Sequence, residues 1–275
     1  MIVDGRGIAK ELKERLKEEV RALVNPPMLF IFSVGENPVS ERFVSLKKKF
    51  AADVGIRVIE KKFDEKASTA RVVEGIKSVV GDNVSVVVQL PLPPHIETKE
   101  VLNAIPPECD PDVLSEKSIA LYEKDALPIL PPVVVAIKEI LFQRGVFVGN
   151  RNVVIVGRGK LVGAPAAVWF KRHGSNTVLL GRDTLDLKMH TTKADIIILG
   201  TGNPGLLKPD MIKPGVVVLD AGTSETEGKL AGDADPKCAE RASVFTPVPG
   251  GIGPVTVAML FANIVILAKA RLLAT

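Results

Sequence analysis

Apolar positions along this chain switch between two periods. Residues 6–24 carry them at helical spacing and predict an amphipathic helix. MLFIFSVG, from Met28, is a nearly unbroken apolar run, as a strand buried on both faces requires. A helix is predicted from Pro38 to about Val54, then the strand IRVIEKKF, a helix over roughly 69–80 and the strand VSVVVQL. PLPPH breaks the chain there, and a helix near 98–104 leads to PPECDPD. Such alternation predicts a parallel α/β unit. Residues 113–132 show no clean period; KDALPILPP reads as a Pro-rich connection and VVVAIKEILFQRG as helix, which puts a domain junction here. From Asn152 the pattern restarts: strand NVVIVG, a glycine loop, a helix over 162–173, then NTVLL, ADIIILGTG and GVVVLDAG. This predicts a second, doubly wound unit. The last helix, from Pro254, is long and apolar and is placed back against the first unit.

Composition fits this picture. The 275 residues suffice for two domains, and 46% hydrophobic with only 4% aromatic means a core of Val, Ile, Leu and Ala. The net charge of +4 comes from lysines scattered among acids along helices, a solvated surface with no basic-aromatic pattern for nucleic acid. A modest positive bias suits anionic small molecules. Cys109 and Cys238 stand alone, without CxxC or Cys/His spacing, which argues against a metal site and fits a reducing cytoplasm. The charged N-terminus has no apolar signal core. PVTVAMLFANIVILA is shorter than the ~20 residues a membrane span needs, and Asn263 interrupts it; a buried or interface helix is expected rather than a membrane anchor.

Two glycine segments carry candidate chemistry. In TPVPGGIGPVT, Gly250, Gly251 and Gly253 bare the backbone, Pro247 and Pro249 stiffen the approach, and Pro254 suits the first position of the next helix. The string reads as a ligand platform or, equally, as a turn that only redirects the chain. VVIVGRGKLVG reads as strand, turn, helix. Gly157 and Gly159 permit the turn and the approach of a phosphate, and Gly163 lets helix meet strand. The spacing GxGxxxG is one residue longer than the usual dinucleotide fingerprint. Arg158 lies in this loop, and Arg182, with Asp183, follows NTVLL. Two guanidinium groups near the adenosine ribose suit a 2′-phosphate, which favours NADP; Asp183 keeps NAD as the alternative.

On the helix 38–54, Val39, Phe43, Leu46, Phe50 and Val54 form the predicted apolar stripe. Lys48 and Lys49 fall away from it, and Lys47 lies at its edge. An amine beside apolar surface can serve as acid or base; helix geometry alone favours a snorkelling lysine that covers the core. Gln89 ends a strand of valines, where α/β sites form, or else caps the following loop. Asp110 and Asp112 are candidate site acids or turn residues.

The segments VGENPVSERFVSLKKKFAADVGI, VVVQLPLPPHI, CDPD, VGRGKLVGAP, IKPGVVVLDAG, GKLAGDAD and TPVPGGIGPVTVAML resemble, in order and spacing, the bifunctional methylenetetrahydrofolate dehydrogenase/methenyltetrahydrofolate cyclohydrolase family. The resemblance covers nearly the whole chain. It implies a parallel-sheet folate domain, 1–125 plus 254–275, a Rossmann-like NADP-binding domain, 126–253, and a cleft between them. It also implies NADP-linked oxidation of methylene-tetrahydrofolate, hydrolysis of the methenyl product to formyl-tetrahydrofolate, and a cytoplasmic homodimer in one-carbon metabolism and purine biosynthesis. By position, Lys47 matches the catalytic lysine, Gln89 the glutamine that orients it, and Asp112 the acid at the pterin end. Pro249, Gly250 and Gly251 match the loop flanking the substrate, Arg158 and Arg182 the cofactor ribose and phosphate, and Thr223 the residue beside the nicotinamide. Phe43 stands where the family usually has tyrosine, in stacking position on the folate. DPDV replaces DVDG, so Val113 stands where the family has glycine; PILP replaces PCTP, and GRG replaces GRS. These departures bear on the cyclohydrolase rate and folate placement. A monofunctional dehydrogenase, one acting on a methanopterin, and a non-catalytic NADP-binding homologue are the competing readings.

Overall fold

The computed structural model describes residues 1–226 and 229–272. In chain order its elements are α1 (Gly5–Arg21), β1 (Met28–Val34), α2 (Pro38–Val54), β2 (Arg57–Phe63), α3 (Thr69–Lys77), β3 (Val84–Val88), α4 (Thr98–Asn103) and α5 (Glu116–Glu123). There follow α6 (Pro132–Gln143), β4 (Asn152–Val156), α7 (Gly163–Arg172), β5 (Asn176–Leu180), α8 (Leu187–Thr191), β6 (Ile196–Leu199) and β7 (Val217–Asp220). The short β8 (Ser224–Thr226), β9 (Lys229–Ala231) and β10 (Val244–Phe245) precede α9 (Ile252–Leu272). Two compact units result: Lys10–Pro132 with the chain from Val257 onward, and Met1–Ala9 with Val133–Thr256.

The first unit holds a parallel sheet ordered β2-β1-β3. β1 explains its own apolar run, because successive side chains enter opposite cores. Leu29 and Ile31 join Leu16, Val20, Val44, Ala51, Val54, Phe261 and Ile264, whereas Phe30, Phe32 and Val34 join Val72, Ile76, Val101 and Leu102. The last helix thus packs on the β1 sheet, as the pattern predicts.

The second unit holds five parallel strands ordered β10-β7-β6-β4-β5. Its order reverses between β4 and β6, so ligands are expected at the carboxyl ends of those two strands. In the first unit the same reversal falls between β1 and β3.

The structure differs from the sequence reading in two segments, 113–132 and the last helix. α5 occupies part of 113–132, where no period was legible, capped by Ser115, whose Oγ accepts from Ser118 N at 3.2 Å. α9 begins at Ile252, so Pro254 is its third residue, a position still inside the first turn, where no backbone donor is needed. With 21 residues, α9 is long and apolar enough to cross a membrane by length and composition, contrary to the shorter stretch read from sequence. Most of it is buried inside the protein. Asn263 does not interrupt it: buried at 2% exposure, its Nδ2 donates to Pro111 O at 2.9 Å and Leu130 O at 2.8 Å.

Candidate active site

α2 starts and stops where its sequence says. Asn37 Oδ1 accepts from Ser40 N at 2.9 Å, Pro38 sits at the first turn, and Gly55 closes the helix in the left-handed region. Its buried face differs from the predicted stripe. Val44, Ala51 and Val54 are buried, Phe50 stacks on Phe261 with centroids 5.0 Å apart, and Leu46 is 48% exposed. The side chain of Val39 lies outside the described residues. At 100° per residue, Lys47 falls between Val54 and Ala51 on the buried face itself, not at the edge of a stripe.

A lysine inserted there must find a partner. Its Nζ donates to Gln89 Oε1 at 3.0 Å. Gln89 follows β3, is 8% exposed, and is held by its own Nε2 donating to Leu90 O at 2.8 Å. Burial lowers the Lys47 pKa from the ordinary lysine value, with the Asp112 carboxylate opposing. Burial pushes the Asp112 carboxyl up to about 6; Lys47 opposes this and Asp110 adds to it. Lys47, Gln89 and Asp112 therefore form one electrostatically coupled group at the carboxyl end of the first sheet.

The two acids of CDPD have separate roles. Asp110, 1% exposed, accepts from Leu114 N at 3.0 Å and Ser115 N at 2.9 Å, so it builds the turn. Asp112 is the acid whose charge acts on Lys47. Val113, expected to lack glycine's backbone freedom, has φ of 57° and is buried. A β-branched residue in the left-handed region is strained, on the order of 1–3 kcal/mol, and this one sits beside a site acid. Asn263 holds the carbonyl that leads into Asp112. Sequence reading missed this role, although a lone amide in an apolar helix was its signal. Phe43 is half-buried, one helical turn before Lys47.

The second unit carries the glycine turn at the β4/β6 reversal. Gly157 has φ of 109°, and a Cβ there would strike the Gly200 carbonyl. A Cβ on Gly163 would strike the Gly157 carbonyl. Gly159 has open space beside it. Two glycines thus allow strand, turn and helix to touch, and the third leaves room for a phosphate at the turn; the residues present fit a dinucleotide. Arg158 pairs with Asp183 at 3.0 Å, while Arg182, one residue away, is exposed. Arg158 therefore engages the acid that sequence reading reserved for NAD.

In the Gly-Pro segment, Gly250 has φ of 105° and its carbonyl accepts from Gly5 N at 2.9 Å. Gly251 is consumed by packing: a Cβ there would meet Pro247 O at 2.6 Å. Pro249 is exposed, and Gly253 has open space beside it. Thr223 is exposed just after β7. Cys109 and Cys238 are free and buried, and among the described residues no group of three or more His, Cys, Asp or Glu could hold a metal ion.

Residues 3–112 match the tetrahydrofolate dehydrogenase/cyclohydrolase catalytic domain, and residues 131–272 its NAD(P)-binding domain. The chain is 36% identical over 284 residues to the bifunctional protein FolD of Sulfurihydrogenibium sp., covering 99% of each. Its fold is similar to the crystal structure of the bifunctional FolD dehydrogenase/cyclohydrolase from Campylobacter jejuni, with a TM-score of 0.93, 32% identity, and 98% and 99% of the two chains covered. The Trypanosoma brucei FolD, solved with NADP cofactor and an inhibitor, is equally similar, with a TM-score of 0.93, 31% identity, and 99% and 98% covered. With both domains matched in order over nearly its full length, and a dinucleotide-type turn at the sheet reversal of the second, the chain belongs to the tetrahydrofolate dehydrogenase/cyclohydrolase family.

Proposed function

We propose that Lys47, Gln89 and Asp112 form the hydrolytic centre of this enzyme, and that the turn around Gly157, Gly159 and Gly163 holds its cofactor. The enzyme oxidises methylene-tetrahydrofolate to methenyl-tetrahydrofolate with NADP, and hydrolyses the product to formyl-tetrahydrofolate. Bound NADP supplies a hydride acceptor. In the hydrolytic step a water oxygen bonds to the methenyl carbon and Lys47 takes the proton that water releases; the adduct then collapses to the formyl group as the bond from that carbon to one of its two nitrogens breaks, and that nitrogen takes up the remaining hydroxyl proton. The lowered pKa of Lys47 suits this, because more of the amine is free to accept. Gln89 fixes the amine, and Asp112 binds the pterin end while balancing the lysine's charge. Phe43 stacks on the folate ring, with Pro249, Gly250 and Gly251 flanking the substrate. Without a tyrosine hydroxyl near Lys47, hydrolysis is the slower of the two activities.

Arg158 and Arg182 meet the ribose and its 2′-phosphate, which favours NADP over NAD, and Thr223 lies beside the nicotinamide. Residues 1–125 with 254–275 serve the folate, and 126–253 the cofactor. The protein acts as a cytoplasmic homodimer on soluble folates, without nucleic-acid or membrane partners, and serves purine biosynthesis. The family resemblance supports these assignments, and two free, buried thiols fit a reducing compartment.

The observation that carries the hydrolytic reading is the Lys47–Gln89 hydrogen bond on the buried face of α2. Lys47→Met should lower hydrolysis of methenyl-tetrahydrofolate by roughly 10²–10⁴-fold, the range for a lost acid/base group, and Lys48→Met should do little. Equal hydrolysis by both variants would remove Lys47 from the chemistry.

A further inference from the structure

The second unit buries two carboxylates that the roles given so far leave unassigned. Asp233 is 0% exposed and Asp220 is 2% exposed. Asp233 receives four hydrogen bonds from the loop after β6: Oδ2 accepts from Thr201 N at 2.6 Å, Thr201 Oγ1 at 2.8 Å and Gly202 N at 3.3 Å, and Oδ1 accepts from Asn203 N at 2.8 Å. Three successive backbone amides converge on one anion, the geometry of an anion nest, with the protein's own carboxylate filling it. The outer side of this loop, at Gly202 and Asn203, is exposed.

Asp220 ends β7 and braces the neighbouring loops. Its Oδ1 accepts from Gly222 N at 2.9 Å and its Oδ2 from Ala234 N at 2.8 Å. Ser224 Oγ donates to Gly202 O at 2.7 Å, which joins the loop after β7 to the loop after β6. Gly222 and Gly232 are glycines because a Cβ on either would strike Asp233 or Asp220 respectively.

The braced loop backs the cofactor turn. A Cβ on Gly157 would strike Gly200 O and meet Thr201 Cγ2 at 3.3 Å, so the glycine turn lies against the segment that Asp233 holds. The loop cannot leave without stripping the buried Asp233 carboxyl of its four donors, and a buried polar group left without its partners is costly.

We infer that Asp233 is a positioning residue for NADP: it fixes Thr201–Asn203 behind the Gly157 turn and so presets the dinucleotide cradle. This rests on the reading of that turn as the cofactor site. Asp233→Asn keeps the shape, yet replaces an acceptor of amide hydrogens with an NH₂ group that repels at least one of them.

The test measures NADP affinity by calorimetry, amide hydrogen exchange at Thr201, Gly202 and Asn203, and cofactor-free hydrolysis of methenyl-tetrahydrofolate, in wild type and Asp233→Asn. The expected result is an NADP Kd raised tenfold or more, faster exchange at the three amides, and hydrolysis kept within about twofold. Thr201→Val, which removes only the hydroxyl bond, should show a smaller shift in the same direction and serves if Asp233→Asn does not fold. Wild-type protein that fails to bind NADP would overturn the cofactor reading itself. Wild-type binding with an unchanged Kd in the folded variants would overturn the role of Asp233 alone.

Discussion

At the residue scale the site depends on which buried groups hold a proton. Asp112 titrates at about 6 in the folded chain against an ordinary value of 3.8. A carboxyl raised on folding binds its proton more tightly in the folded state. Its stabilising contribution is therefore full below the unfolded value and is lost as pH rises through about 6. The shift corresponds to on the order of 3 kcal/mol. Asp220, also raised to about 6 by burial, adds a contribution of the same sign. Urea unfolding from pH 4 to 7 should show stability falling across this window, and Asp112→Asn should fall less steeply. An identical slope in the variant would contradict the environment described for Asp112. Read by itself, the CDPD turn left Asp110 and Asp112 as equal candidates, and only the family resemblance singled out Asp112. The division of their work depends on the turn through Val113, whose left-handed backbone is imposed by packing on a residue that locally disfavours it.

At the scale of elements, helix and strand limits were largely legible because caps and periods are local. α2 was read at its observed limits, from Pro38 to about Val54. Its buried face was not, for a physical reason. Periodicity weighs large apolar residues, so Phe43 and Leu46 pulled the inferred stripe away from small Ala51 and from Lys47, the polar member of the true face. The glycine turn shows the reverse: the sequence located it, and only the structure separates its glycines. Gly163→Ala forces a Cβ into the Gly157 carbonyl and should cost roughly 1–3 kcal/mol, as overpacking does. Gly159→Ala meets open space and should stay within about 0.5 kcal/mol of wild type while binding NADP more weakly. Thermal melts and NADP titrations of the pair check this. A Gly159→Ala variant with wild-type affinity would mean that the phosphate does not approach there.

At the scale of the whole molecule, two parallel α/β units and the placing of α9 followed from the alternation of strands and helices. The short α8, β8, β9 and β10 did not, since elements of two to five residues leave no period to read. Asp220, Asp233 and Asn263 were missed because a buried polar residue announces itself only through partners distant in sequence. On the proposed assignments oxidation draws on the glycine turn of the second unit and hydrolysis on Lys47 of the first. The most direct measurement is a spectrophotometric assay with methylene-tetrahydrofolate, comparing NADP with NAD. The methenyl chromophore should appear faster with NADP and then decay to formyl-tetrahydrofolate, and the enzyme-dependent decay should vanish in Lys47→Met. Absence of the chromophore with either cofactor, or equal decay in wild type and Lys47→Met, would contradict the account.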